Sequence, residues 1–199
     1  MLTFLTLINR PQNGLDKGII MTIWFTSDPH FDHANIIKLS NRPFHNVNDM
    51  NETIINNYNR DVKSTDTLYI LGDFCWGGIE SVKRWRNRIN CENIHYIWGN
   101  HDEAIFENYR ASSLLFKTLG AEYRGKINGQ YMHLYHYPIL EWDKFYKDSW
   151  HLFGHVHGNR PHLPGFLGYD VGVDVNGYCA ISFEELSKKI DKIRKVDRK

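Results

Sequence analysis

Five short segments of this chain hold carboxylate, amide and imidazole side chains at spacings suited to a metal ion: Asp28-Pro29-His30, Gly72-Asp73, Gly99-Asn100-His101-Asp102, His136 and Gly154-His155-Val156-His157. A donor set of this kind, with no thiolate, suits borderline first-row ions such as manganese, iron, zinc, nickel or cobalt. Residues two apart on an extended backbone point to the same side. Asp28 and His30 are therefore expected to reach one ion together, and His155 and His157 alternate by two in the same way. The glycines before Asp73, Asn100 and His155 are expected to allow a sharp exit from a strand and close approach of backbone to the site.

Each segment follows a stretch that reads as a β-strand. The expected strands are residues 23–27, 67–71, 94–98, 131–135, 150–153 and 169–173, and the expected helices are 33–39, 47–60, 79–89, 103–109 and 183–193. In the second helix Asn48 is placed to cap, and Met50, Ile54, Ile55 and Tyr58 recur along one face. Short apolar runs alternating with longer amphipathic ones predict a mixed α/β domain. In such sheets the loops beyond the strands' carboxyl ends converge on one crevice, so five separate segments can build a single site. There is no repeat and no Gly/Ser-rich linker, so residues 21–199 read as one domain. Residues 1–20 read as an N-terminal extension, because turn formers without periodicity occupy residues 9–18 and a strand-like run begins just after Met21.

The motif order DxH, GD, GNH followed by an acid, a lone H and GHxH resembles the calcineurin-like metallophosphoesterases, and the flanking text resembles their small bacterial and phage members. The resemblance covers most of the chain from residue 23 onward. It implies a four-layer α/β fold in which two β-sheets pack face to face with helices outside. By motif position it places Asp28, His30 and His157 on a first metal and Asn100, His136 and His155 on a second, with Asp73 bridging both. It puts His101 near the leaving group as general acid, with Asp102 orienting it.

Two divalent ions held about 3.5–4 Å apart share a water, lower its pKa toward neutrality and clamp the phosphate oxygens during in-line displacement. The expected activity is therefore that of a phosphodiesterase or broad phosphatase on a small soluble phosphoester, nucleotides included. The alternatives are a nuclease and a non-catalytic interaction scaffold of the same fold. The complete ligand set argues against the scaffold.

Composition excludes other classes. The chain has 199 residues, 42% hydrophobic and 14% aromatic, enough for a substantial core, and its formal net charge of +1 does not advertise a nucleic-acid-coating surface. The three cysteines form no CxxC pair, which argues against a disulfide framework and fits a reducing, cytoplasmic setting. Residues 1–8 are too short to span a bilayer and no docking insertion is evident, so no membrane partner is expected. The basic tail from Lys188 reads as the solvated end of a terminal helix.

Of the remaining histidines, His33 is the one whose loop is expected to reach the pocket mouth and touch substrate, with a helix-start role as the alternative. Asn35 is a second candidate substrate contact. Asp32 reads as a helix cap, Cys75 and Trp76 as bystanders, and Asp174 as a strand or turn residue. The aromatics of residues 137–149 read either as a rim or, in the favoured reading, as packing that holds the loop down.

Overall fold

A computed structural model of the chain describes residues 21–160, 163 and 165–196. The proposed N-terminal extension, His162 and the last three residues of the basic tail lie outside the described residues. Two sheets form the frame. The first has five strands in the order β4 (Thr118–Gly120), β3 (Asn93–Ile97), β2 (Thr67–Leu71), β1 (Ile23–Thr26) and β9 (Ile181–Ser182), with β1 to β4 parallel and β9 antiparallel to β1. The second has four, in the order β5 (Glu122–Ile127), β6 (Gln130–Tyr135), β7 (Trp150–Phe153) and β8 (Gly168–Asp170), with β6 to β8 parallel. Helices flank them: α1 (Ile36–Leu39), α2 (Val47–Asp61), α3 (Ile79–Arg88), α4 (Glu103–Glu107), α5 (Tyr109–Ser112) and α6 (Phe183–Val196).

Strand periodicity separates two cores. Leu68, Ile70, Ile94 and Tyr96 face one way and pack with Met50, Ile54, Tyr58, Val82 and Trp85 of α2 and α3. Phe25, Leu71 and Ile97 face the other way and meet Met132, Leu134, Trp150 and Leu152 of the second sheet, with Leu186 and Ile190 of α6 joining them. Each buried aliphatic side chain contributes about 1.5–3 kcal/mol, so the inner strands are clamped from both faces.

Several expectations are corrected here. The cap of α2 is Asn46, whose extended backbone lets its side chain accept from Asp49 N–H at 2.9 Å; Asn48 already lies in the first turn. The first helix begins at Ile36 rather than His33, and the strand expected to reach Val173 stops at Asp170, where the chain enters a 3-10 turn over Val173–Val175. Strands β4, β5 and β9 were not expected. The charged, exposed run of β5 carries no apolar alternation, but Asn128 and Gly129, both with positive φ, are the two-residue hairpin signal joining it to β6.

Candidate metal centre

All five motifs lie just beyond the carboxyl ends of parallel strands: β1, β2 and β3 in one sheet, β6 and β7 in the other. The two sheets are tied together at this point. Leu71 carbonyl, at the end of β2, accepts from His136 Nδ1 of the second sheet at 2.7 Å. Each side is braced within its own sheet, by Ser27 Oγ donating to the same carbonyl at 2.7 Å and by Gly154 N–H donating to His136 carbonyl at 2.9 Å.

The backbone carrying the motifs is not extended. Asp28, His30, Asp73, His155 and His157 all adopt left-handed φ between 48° and 69°, so their side chains are aimed by turns rather than by strand alternation. Such residues cost about 1–3 kcal/mol each and persist where the surroundings over-determine them, typically at functional sites. Close approach is enforced as well. A Cβ added to Gly154 would overlap the Asp28 carboxylate and the Ser27 hydroxyl, and one added to Gly99 would overlap Asp73 Oδ1.

The structure brings all seven expected ligands together. Asp73 lies in the middle, with Oδ2 3.4 Å from His30 Nε2 and Oδ1 3.6 Å from His136 Nε2. On one side, Asp28, His30 and His157 form a group able to hold an ion, Asp28 Oδ1 being 3.8 Å from His30 Nε2. On the other, Asn100 Oδ1 is 3.0 Å from His136 Nε2 and 2.9 Å from His155 Nδ1. Asp28, Asp73 and His136 form a second carboxylate–imidazole group.

The donor chemistry fits a cation. Asp28 Oδ1 and His30 Nε2 are buried with no hydrogen-bond partner, which is costly for polar atoms unless something else binds them. His136 Nδ1 must donate to Leu71 carbonyl, so in the neutral ring Nε2 is a lone pair. That lone pair faces the Asn100 oxygen, two acceptors across a gap that a cation would bridge. Burial pushes the Asp28 carboxyl up to about 7, with Asp73 adding to the rise, and pulls His30 well below its ordinary range. In both, burial is the largest cause, and for Asp28 it outweighs the opposing pull of His136 and His157. His155 is likewise lowered by burial. Burial also pulls on His157, but hydrogen bonding to Asp174 and the charges of Asp28 and Asp174 prevail, so its pKa is raised.

Behind the ligands lies a support layer that the residue pattern did not reveal. His157 Nδ1 donates to Asp174 Oδ2 at 2.7 Å, and the same ring groups with Asp28 and His30. Arg42, whose side chain is buried, forks onto both Asp174 oxygens at 2.9 and 2.8 Å and also donates to the carbonyls of Asp28 and Pro29. Asp174 is therefore not a plain turn residue. The only sequence signal for Arg42 was an arginine in an otherwise short, polar loop.

Asp102 is corrected too. Its carboxylate accepts from the backbone N–H groups of Asp73, Phe74 and Gly99 and from Tyr96 Oη. It braces the Asp73 turn rather than the His101 ring. His101 is exposed. Its N–H donates to Asp73 Oδ1 at 2.9 Å, and its ring centroid lies 5.6 Å from that of His30.

His33 reaches the site. Its Nδ1 is 3.3 Å from His30 Nδ1, and it stacks on Trp76 at 4.6 Å. With His101 these residues line a cavity of about 350 Å³, so Trp76 is no bystander. Asn35 is exposed at the start of α1 and is not among the lining residues. Asp32 caps nothing; it accepts from Asn51, Trp85 and Arg84, pinning the loop to α2 and α3. Cys75 is buried with its thiol pushed up by burial, as a packed residue should be. In the 137–149 segment Trp142 is buried against Phe145, His151 and Phe166, which favours packing over a rim, whereas Tyr137 lies 4.5 Å from His155.

Comparison with known proteins gives a consistent result. A family model described as calcineurin-like phosphoesterase matches residues 21–160. Uncharacterized protein MJ1445 of Methanocaldococcus jannaschii is 36% identical over 177 residues, covering 85% of this chain and 92% of that protein. Among solved structures, the protein of unknown function AQ665 from Aquifex aeolicus superposes with a TM-score of 0.68 at 25% identity, covering 84% of this chain and 98% of the other. A novel archaeal phosphodiesterase matches at a TM-score of 0.47 and 16% identity over 76% of this chain and 82% of its own, a distance at which it carries no functional weight.

Proposed function

The chain belongs to the calcineurin-like phosphoesterases, which makes it a metal-dependent phosphoester hydrolase, and from that premise we propose a dinuclear phosphodiesterase acting on small phosphoesters. The observation that carries the proposal is the Asp73 carboxylate, whose two oxygens face imidazoles of two different ligand groups at 3.4 and 3.6 Å. Asp28, His30 and His157 would hold one ion, Asn100, His136 and His155 the other, and Asp73 would bridge them. Bound divalent ions supply Lewis acidity that makes water a nucleophile near neutral pH and offsets charge on the phosphate.

The remaining work falls to side chains. Hydrolysis forms one P–O bond from water and breaks the ester P–O bond, so the departing oxygen needs a proton. His101 is exposed and tied to the bridging carboxylate through its own N–H, and it donates that proton as imidazolium, a contribution of roughly 10²–10⁴-fold. Asp102 acts through the backbone by fixing the Asp73 turn. A diester is favoured over a monoester because, among the described residues, those lining the cavity beside His101 include no Lys or Arg to meet the monoester's second negative charge.

The test is hydrolysis of bis-p-nitrophenyl phosphate and p-nitrophenyl phosphate by metal-stripped protein, with manganese, nickel, zinc or magnesium restored, beside Asp73→Ala and His101→Ala. We expect metal-dependent turnover with diester preference. Asp73→Ala should lose both metal and turnover, whereas His101→Ala should keep its metal and turn over at least about 10²-fold more slowly. Equal metal loss in the two variants contradicts the assigned roles.

A further inference from the structure

Resting on the phosphodiesterase reading, we infer that the cavity beside His101 is a subsite for one ester arm of the substrate, and that it selects a planar, uncharged aromatic group such as a nucleobase. The cavity is lined by His33, Ile36, Leu39, Trp76, His101 and Asn159 among others, with His30 and His157 at its metal-facing end. It opens directly off the ligand group, so a phosphate held there places a substituent into it.

Its chemistry is distinctive in three respects. Trp76 is 54% exposed and Leu39 75%, a pair of large apolar side chains left in water beside a polar centre. The Trp76 indole is held by stacking on His33, with centroids 4.6 Å apart and planes 18° from parallel, so the platform is ordered before any ligand arrives. Among the described residues, those lining the cavity include no Lys, Arg, Asp or Glu, so apart from its imidazoles it offers no ionic partner to a charged arm.

His33 is tethered as well. For His30 Nε2 to act as a metal lone pair, His30 Nδ1 must carry the proton and donate to His33 Nδ1. The remaining His33 nitrogen, Nε2, then bears hydrogen, a neutral donor on a wall otherwise built of an indole, aliphatic groups and short polar side chains. An aromatic ring bearing ring nitrogens or carbonyls satisfies both the stacking face and that donor. An aliphatic polyol can accept from that donor but has no face to stack, and a phosphorylated or carboxylated arm finds no Lys or Arg among the described lining residues.

The experiment is calorimetric binding of AMP and of ribose 5-phosphate to the manganese-loaded protein, two ligands alike in phosphate and sugar that differ by the base. Stacking on an aromatic side chain corresponds to roughly 5- to 150-fold in affinity, so we expect AMP to bind at least about tenfold tighter. Trp76→Ala should bring the two ligands within about twofold, and Trp76→Phe should restore most of the difference. Equal or undetectable affinity for both ligands in the wild type overturns the subsite, as does an AMP preference that survives in Trp76→Ala. The two readings fail separately. Absence of metal-dependent diester hydrolysis defeats the activity, whereas brisk hydrolysis with no base preference defeats only the subsite.

Discussion

His157 donates its Nδ1 hydrogen to Asp174 at 2.7 Å, and Asp174 in turn is gripped on both oxygens by the buried guanidinium of Arg42. The relay fixes the ring beside Asp28 and His30, and the same arginine fixes the Asp28 and Pro29 carbonyls that set the motif's turn. One residue thus positions two of the three groups proposed for the first ion.

Loss of this relay should weaken metal binding before it abolishes the fold. We predict that Asp174→Ala lowers metal affinity about 10- to 100-fold, the usual effect of removing a partner behind a histidine ligand. Arg42→Met should also destabilise by about 3–5 kcal/mol, because it leaves a buried carboxylate and two carbonyls without their donor. Metal titration followed by urea unfolding separates the two effects. An Asp174→Ala protein with wild-type metal affinity removes the relay from the account.

Asp102 is predicted to act on stability through the backbone. An amide at Asp102→Asn must turn an N–H₂ toward one of four hydrogen-bond donors, so we expect a loss of about 2–4 kcal/mol. Tyr96→Phe, which removes only one of those donors, should cost about 1 kcal/mol. Urea midpoints measure both. An Asp102→Asn protein of unchanged stability but low turnover would return Asp102 to a direct catalytic role.

The close approach at Gly154 leaves no room for a methyl group. In Gly154→Ala the new Cβ must displace either the Ser27 side chain or the Asp28 carboxylate, which also accepts from His155 N–H at 3.0 Å. We predict destabilisation of about 1–3 kcal/mol from overpacking, accompanied by reduced metal content. Full metal occupancy in the purified variant would show that the site yields without cost.

A pH effect is expected from a histidine outside the site. His151 Nδ1 donates to His133 carbonyl, and Nε2 accepts from Ile139 N–H with the Tyr137 carbonyl 3.1 Å from it. Burial outweighs these carbonyls and holds the pKa down at about 4, so the folded ring stays neutral. The unfolded chain takes up a proton near pH 6.5 while the folded chain does not until about 4. The stability contribution is therefore full above pH 6.5 and is lost as pH falls through that window. Between pH 7 and 5 the loss is about 2 kcal/mol. Asp28, with its raised pKa, acts with the opposite sign, so the measurement is the difference in unfolding free energy between wild type and His151→Gln across this range. Parallel pH profiles for the two proteins contradict the assignment.

The motif residues were legible in the sequence because a metal site needs particular donor atoms, and few residue types carry them. Their placement after strands followed from short apolar runs that must be buried, and the helix face of Met50, Ile54, Ile55 and Tyr58 from its period. The tertiary structure decided the rest. Left-handed backbone at Asp28, His30, His155 and His157 aims side chains that strand alternation would have sent elsewhere, and it turns His155 and His157 toward different groups of donors rather than toward one. Arg42 and Asp174 came into view only through a contact between residues 132 positions apart in the chain. Asp102 changed partners, from a neighbouring imidazole to the backbone of a different strand's turn, and Trp76 passed from bystander to cavity wall. Sequence fixes which chemical groups are available; which of them face one another depends on the packing of sheets whose partners no local pattern specifies.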